Sequence, residues 1–308
     1  LNTAQGGTTN VEAYDRYLRS RQLLFSEYYD EEHDRQRVRL AREAVALDPG
    51  FVLGWDALAT SLNLLASEVD GVQAERLREE AAQVRARIAE LAPDHWIVKR
   101  ERAYALWREG EWAEAIALTR EIMEGGPLSY ERAFPYTELI FSVGHIDETI
   151  AVVEQLKTIE PLAMFISRDL QYDYTAARRI EDAEAEYQRS LSLDGNDTGP
   201  TALAFHRTLA RADADPKVLR ELHGRLAKAL GWPFLLDLGG VLDDREAMLA
   251  ILREGAKDPA NLENRRAMVF IMETADALGD ADIAVETLRR VLESREGFED
   301  GKMNHRAY

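Results

Sequence analysis

GEWAEAIALTREIMEGGP (residues 110–127) and GHIDETIAVVEQLKTIEP (residues 144–161) align without a gap, and this pair decides the fold. Gly110 and Gly144 stand 34 residues apart, as do Pro127 and Pro161. Each stretch has a turn residue, then apolar side chains at helical spacing, then a proline stop. A period of 34 with two amphipathic helices per unit marks a helical solenoid, in which one unit cannot bury its apolar face until a neighbour stacks on it.

The period extends outward in both directions. Leu106, Ile140 and Tyr174 fall one period apart on successive first helices, and Trp112, Ile146 and Ile180 do so where second helices begin. Ala115, Thr149 and Ala183 form a third ladder of small residues, where two helix backbones approach closely and a larger side chain would overpack. Pro93, Pro127, Pro161 and Gly195 close the units at even intervals. Upstream, Pro49 and Pro93 are 44 residues apart, so that repeat is longer than its neighbours, and the surplus falls at residues 67–78. Asn10 is placed to cap a helix starting at Val11. Residues 29–34 read as an acidic loop, and Pro135 predicts a kink or a delayed helix start. Beyond Gly195 the register loosens, with helices expected over 201–211, 216–230, 243–256, 261–278 and 281–294 and a tight junction at Trp232-Pro233-Phe234. The organisation expected is a lead-in at 1–10, a repeat array over 11–195, an irregular helical continuation over 196–296 and a tail at 297–308. The fold class is all-α, a right-handed superhelical solenoid of antiparallel helix pairs.

Composition agrees and excludes several functions. Leucine, alanine, glutamate and arginine dominate, which favours helix. There is no cysteine, so disulfides and thiolate metal sites are excluded. The formal net charge is −18, with 56 acidic against 38 basic residues and no dense basic block, which argues against direct nucleic-acid contact. No apolar run approaches the roughly 20 residues of a membrane span. The start has neither a signal-peptide pattern nor an initiator Met, which reads as a fragment or processed product. A soluble, cytoplasmic setting is favoured over a periplasmic one.

No motif with a catalytic mechanism is present: there is no phosphate-binding glycine loop, no zinc-protease helix and no nucleophile elbow. The six histidines are scattered. The acidic run at residues 30–34 and Asp243-Asp244-Arg245-Glu246 read as charges at helix N-termini rather than metal ligands. No catalytic residue, metal or cofactor is therefore assigned.

Glycine, then an alanine-rich helix, then a closing Asp-Pro resembles the tetratricopeptide repeat (TPR). Its best carriers are Ala103, Leu106, Gly110, Ala115 and Pro127, then Gly144, Ile150 and Pro161, with AREAVALDPGFVLGWDALATSL (residues 41–62) across the first junction. Lys99, Ala133 and Ser167 depart from it, standing where the repeat usually has a large apolar residue. NVEAYDRYLRSRQLL (residues 10–24) is similar to the opening of the TPR tracts of bacterial winged-helix, cyclase or kinase-type regulators. That resemblance implies a sensory or partner-binding role beside an upstream output domain.

In such a solenoid the first helices line the concave wall. If Ala103, Leu106, Thr137 and Ile140 pack inward, Arg100, Tyr104, Trp107 and Arg108 lean towards the groove. Phe134, Glu138 and Phe141 follow on the next first helix, and Arg168 and Tyr172 on the one after. Grouped aromatic and arginine side chains are typical of binding hot spots, although the aromatics also suit gaps between helices. With Arg100, Tyr104 and Pro135 at the turns where peptide-carboxylate clamps use Lys and Asn, chaperone C-termini are not implied. The sequence thus predicts a non-enzymatic module binding a protein or peptide partner, with a small-molecule effector as the alternative and an all-α enzyme as a remote one.

Overall fold

The computed structural model describes residues 7–24, 31–69, 71–193, 198–211, 213–262 and 264–293. Among them are seventeen α-helices and no strand. The chain divides into two compact units, Leu1–Tyr136 and Thr137–Tyr308. The boundary between them falls inside a helix, and Gly195 lies outside the described residues.

Unit 1 holds α1 (Val11–Leu24), α2 (Glu31–Leu47), α3 (Val52–Glu68), α4 (Gly71–Leu91), α5 (Trp96–Arg108), α6 (Trp112–Glu124) and the first half of α7 (Tyr130–Ser142). Successive helices pair, α1 with α2, α3 with α4 and α5 with α6, and α2 also packs on α3. The Asn10 carboxamide oxygen accepts from the Glu12 and Ala13 amides, satisfying two donors that the first turn of α1 leaves open. The acidic loop expected at 29–34 is corrected in part. Residues 31–34 form the first turn of α2, Asp34 pairs with Arg37 at 2.6 Å with both side chains buried, and residues 29 and 30 lie outside the described set. The long repeat takes its surplus by extending both helices, α3 to 17 residues and α4 to 21, against 13 in α5 and α6. Val38, Ala41, Leu58, Leu62, Ala81 and Ile88 make the core of this unit, and Tyr17 and Phe51 close its N-terminal end edge-to-face at 5.2 Å.

Unit 2 continues with α8 (Ile146–Ile159), α9 (Met164–Ala176), α10 (Ile180–Leu193), α11 (Thr198–Leu209) and α12 (Pro216–Leu230). It ends with α13 (Pro233–Leu238), α14 (Arg245–Gly255), α15 (Pro259–Leu262), α16 (Arg265–Ala277) and α17 (Ala281–Glu293). First helices begin at 96, 130, 164 and 198 and second helices at 112, 146 and 180, so the 34-residue period is kept to the residue. α7 starts at Tyr130 and carries Pro135 within it, so the start is not delayed. Beyond α12 the pairing loosens: α16 lies against α11 and α14 as well as α17. There Phe205, Phe234, Leu235, Leu249, Phe270 and Ile271 form one core. The short α13 and α15 escaped the sequence, since a helix of one or two turns has no room for an apolar period. The Asp243-Asp244 pair does cap a helix, with Asp244 accepting from the Ala247 amide.

The repeat is also written in its turns. At Gly110, Gly144 and Gly279 the chain adopts positive φ, and the next residue's N–H bonds five residues back: Glu111 to Leu106, His145 to Ile140, Asp280 to Ala275. This is the Schellman helix stop, which needs a left-handed residue. The third turn closes in the same way, Arg179 N–H to Tyr174 C=O, but its left-handed residue is Arg178 at φ 58°. Arg178 sits one period after Gly144.

Candidate interaction surface

The side chains expected to pack do so: Ala103, Leu106, Ala115, Thr137, Ile140, Thr149, Tyr174 and Ala183 are all buried. Of the three residues that depart from the repeat pattern, Ala133 and Ser167 are fully buried, and Lys99 pairs with Glu121. Small residues at those sites let neighbouring helices close the space that a larger residue would fill.

In unit 1, α5 carries the first candidate group. Arg100 is committed internally. Its Nη2 reaches Asp56 Oδ1 at 2.6 Å and Glu101 Oε1 at 3.0 Å, its Nη1 reaches Asp56 Oδ2 at 3.3 Å, and its guanidinium lies 5.6 Å from the centre of the Trp96 ring. Burial would draw its pKa down, but the adjacent Asp56 carboxylate, with Glu101 and Tyr104, reverses this and holds the charge well above the ordinary arginine range. Asp56 and Arg100 are 44 residues apart, one long repeat, so the pair joins equivalent positions of α3 and α5. Trp96 has a second guanidinium over it, Arg132 at 5.6 Å, and burial lowers the pKa of Arg132. Further along the wall Arg21, over the Tyr17 ring at 5.7 Å, forms an ion pair with Glu131.

Tyr104 and Trp107 are half-buried and Arg108 is exposed, its Nε donating to the Tyr104 carbonyl at 3.3 Å. Phe134 is half-buried, 5.3 Å from the Tyr130 ring centre. Unit 2 carries the other four candidates. Glu138 and Phe141 are half-buried on α7, and Arg168 and Tyr172 are half-buried on α9, with Arg168 Nε 3.8 Å from Asp169.

Two features were not singled out from the sequence. Trp112, placed from the sequence only at the start of a second helix, is 57% exposed, its ring 5.8 Å from Trp107 at 37°. Its place at the head of a helix, five residues after another tryptophan, was the available signal. On α9, Ser167, Asp169, Gln171 and Asp173 are all fully buried. Residues two apart on a helix are turned by about 200° each step, so these polar groups lie on two opposite sides of α9, while Arg168 and Tyr172, on the side between, stay half-buried. Gln171 donates to the Pro200 carbonyl at 2.9 Å, and Arg189 donates to Ser167. A run such as SRDLQYDY reads from sequence as a solvated face, and only packing shows otherwise.

No family model matches the chain, and no curated protein matches it in sequence. Among solved structures it is similar to a chain of the human IFIT1 dimer with PPP-AAAA, at 15% identity and a TM-score of 0.51, over 91% of this chain and 62% of that one. The fold is a TPR-like helical array. At this identity the likeness speaks for the fold alone, and the chain spans less than two thirds of that neighbour. No helix among the described residues is long and apolar enough to cross a membrane.

Proposed function

We propose that this chain is a non-enzymatic interaction module whose first helices bind a polypeptide segment. The observation that supports it is α5, where Tyr104 and Trp107 are only half-buried beside the exposed guanidinium of Arg108. Aromatic and arginine side chains of this kind contribute most where a partner desolvates them. Arg100, already held by Asp56, acts in this reading as the brace that orients Trp96 and α5. In unit 2, Arg168, Tyr172, Phe141 and Glu138 are the corresponding contact residues.

The IFIT1 chain similar to this one is described with PPP-AAAA. Here the net charge of −18, with Arg21 and Arg100 each bound to carboxylates, favours a polypeptide over a phosphate backbone, which repels acidic surfaces. The similarity of residues 10–24 to bacterial regulators supports a sensory setting. Peptide-array binding with the Tyr104→Ala, Arg108→Glu and Tyr172→Ala variants tests the reading. Reduced binding in each, with unchanged helicity, is expected; undiminished binding by all three places the surface elsewhere.

A further inference from the structure

We propose that the Trp107–Trp112 edge of unit 1 receives a cationic side chain, arginine above all, from a polypeptide partner. The inference rests on the interaction reading above and assigns the partner's chemistry. Trp112 is the one aromatic among the large exposed apolar side chains of the described residues. Its indole and that of Trp107 form a tilted pair at the α5–α6 turn, and the faces of such rings attract cations. Around them Glu109, Glu111 and Glu114 are exposed and make no side-chain hydrogen bond or ion pair. Arg108 stands on the same edge but is turned back to the Tyr104 carbonyl and pairs with none of the three.

The other repeats supply an internal comparison. One period on, Glu111 and Glu114 become His145 and Glu148, which lie 3.7 Å apart; two periods on they become Arg179 and Asp182, at 2.7 Å. In that third turn the Arg179 guanidinium also lies 4.4 Å from the centre of the Tyr174 ring and 3.9 Å from Glu154. The third turn therefore carries its own guanidinium between an aromatic face and carboxylates. The first turn has Glu114 at the Asp182 position and glutamate where the arginine would be, while its aromatic face comes from Trp107 and Trp112 and not from the Tyr174 position, which is Leu106 there. An arginine from a partner would find there the same kinds of contact that Arg179 makes internally, a carboxylate and an aromatic face. Charge complementarity thus selects the occupant: a basic segment, with an apolar neighbour to cover the exposed indole.

The probe is a short fluorescein-labelled peptide alternating arginine with serine and leucine, read by fluorescence anisotropy against its citrulline counterpart and a single-stranded RNA. The arginine peptide is expected to bind and the other two to bind far less. Trp112→Ala keeps the net charge and touches only an exposed side chain; it should weaken binding about two- to fivefold from the cation–aromatic contact alone. Glu111→Gln/Glu114→Gln should weaken it further, while Glu181→Gln/Asp282→Asn, an equal charge change in unit 2, should not. Equal loss from both charge variants with no loss from Trp112→Ala means diffuse attraction and overturns the inference while leaving the first-helix reading standing. Failure of the arginine peptide to bind, or tighter binding of RNA, also overturns it; loss on Tyr104→Ala but not Trp112→Ala returns the contact to the wall.

Discussion

Removing Asp56 should loosen unit 1 as a whole, because that carboxylate holds a guanidinium that otherwise has little water to turn to. Arg100 and Asp56 side chains are 16% and 17% exposed and share contacts of 2.6 and 3.3 Å. Breaking a fully buried pair by deleting one partner costs about 3–5 kcal/mol. A hydrogen bond to a charged group contributes about 1.5–3 kcal/mol. Here Glu101 at 3.0 Å and the Trp96 face remain to hold the stranded charge, so Asp56→Ala should cost about 2–3 kcal/mol. For a unit of this size that is a fall of about 6–10 °C in Tm. Arg100→Met should cost about 2 kcal/mol, and the double variant less than the sum by about 1.5 kcal/mol. Urea unfolding followed by tryptophan fluorescence suits the measurement, because Trp55, Trp96, Trp107 and Trp112 lie in unit 1 and only Trp232 in unit 2. A coupling energy below about 0.5 kcal/mol would refute the reasoning. So would an Arg100→Met protein of full stability, since the arginine would then be a free groove residue.

Arg178→Gly should stabilise unit 2 by about 0.5–1 kcal/mol, because glycine adopts that left-handed φ without a Cβ penalty, whereas Gly144→Ala should destabilise by about 1–2 kcal/mol from backbone strain, with nothing near its Cβ; denaturant midpoints check both. Ala115→Leu should overpack the α5–α6 contact and cost about 1–3 kcal/mol, while Glu114→Gln on the exposed side should leave the midpoint unchanged, and equal effects would mean the helix is misoriented. Burial, with the 2.6 Å hydrogen bond that its hydroxyl donates to Glu154, holds the Tyr174 phenol well above the ordinary tyrosine value. Its folded-state pKa exceeds the unfolded one, so its contribution is complete below about pH 10 and is lost as pH rises further. Tyr174→Phe should flatten that alkaline decline in unit 2 stability, measured by far-UV circular dichroism.

Much of the architecture was legible because its signal is repetitive. Helix starts at 112, 146 and 180 follow from Trp112, Ile146 and Ile180 in register, and the stops from Gly110, Gly144 and the prolines. A position that recurs every period imposes the same local geometry each time, and local geometry is what a sequence pattern encodes. Glu31 to Asp34 misled because acidic residues suit a loop and a helix N-terminus equally. The candidate surface was less legible for a related reason. Arg100 looks from its spacing like a free groove cation, yet a side chain 44 residues earlier holds it.

The 34-residue period, the small-residue ladder at Ala115, Thr149 and Ala183 and the turn residues by themselves determined that the chain is an all-α helical array. Only the tertiary structure decided which charges are internal and which face outward. It paired Asp56 with Arg100, enclosed Asp169 and Asp173 within α9's surroundings, and left Trp112 and its three glutamates exposed. Helix spacing fixes which side of a helix a residue occupies. The partner across that side comes from another repeat, at a distance in sequence that no local pattern carries.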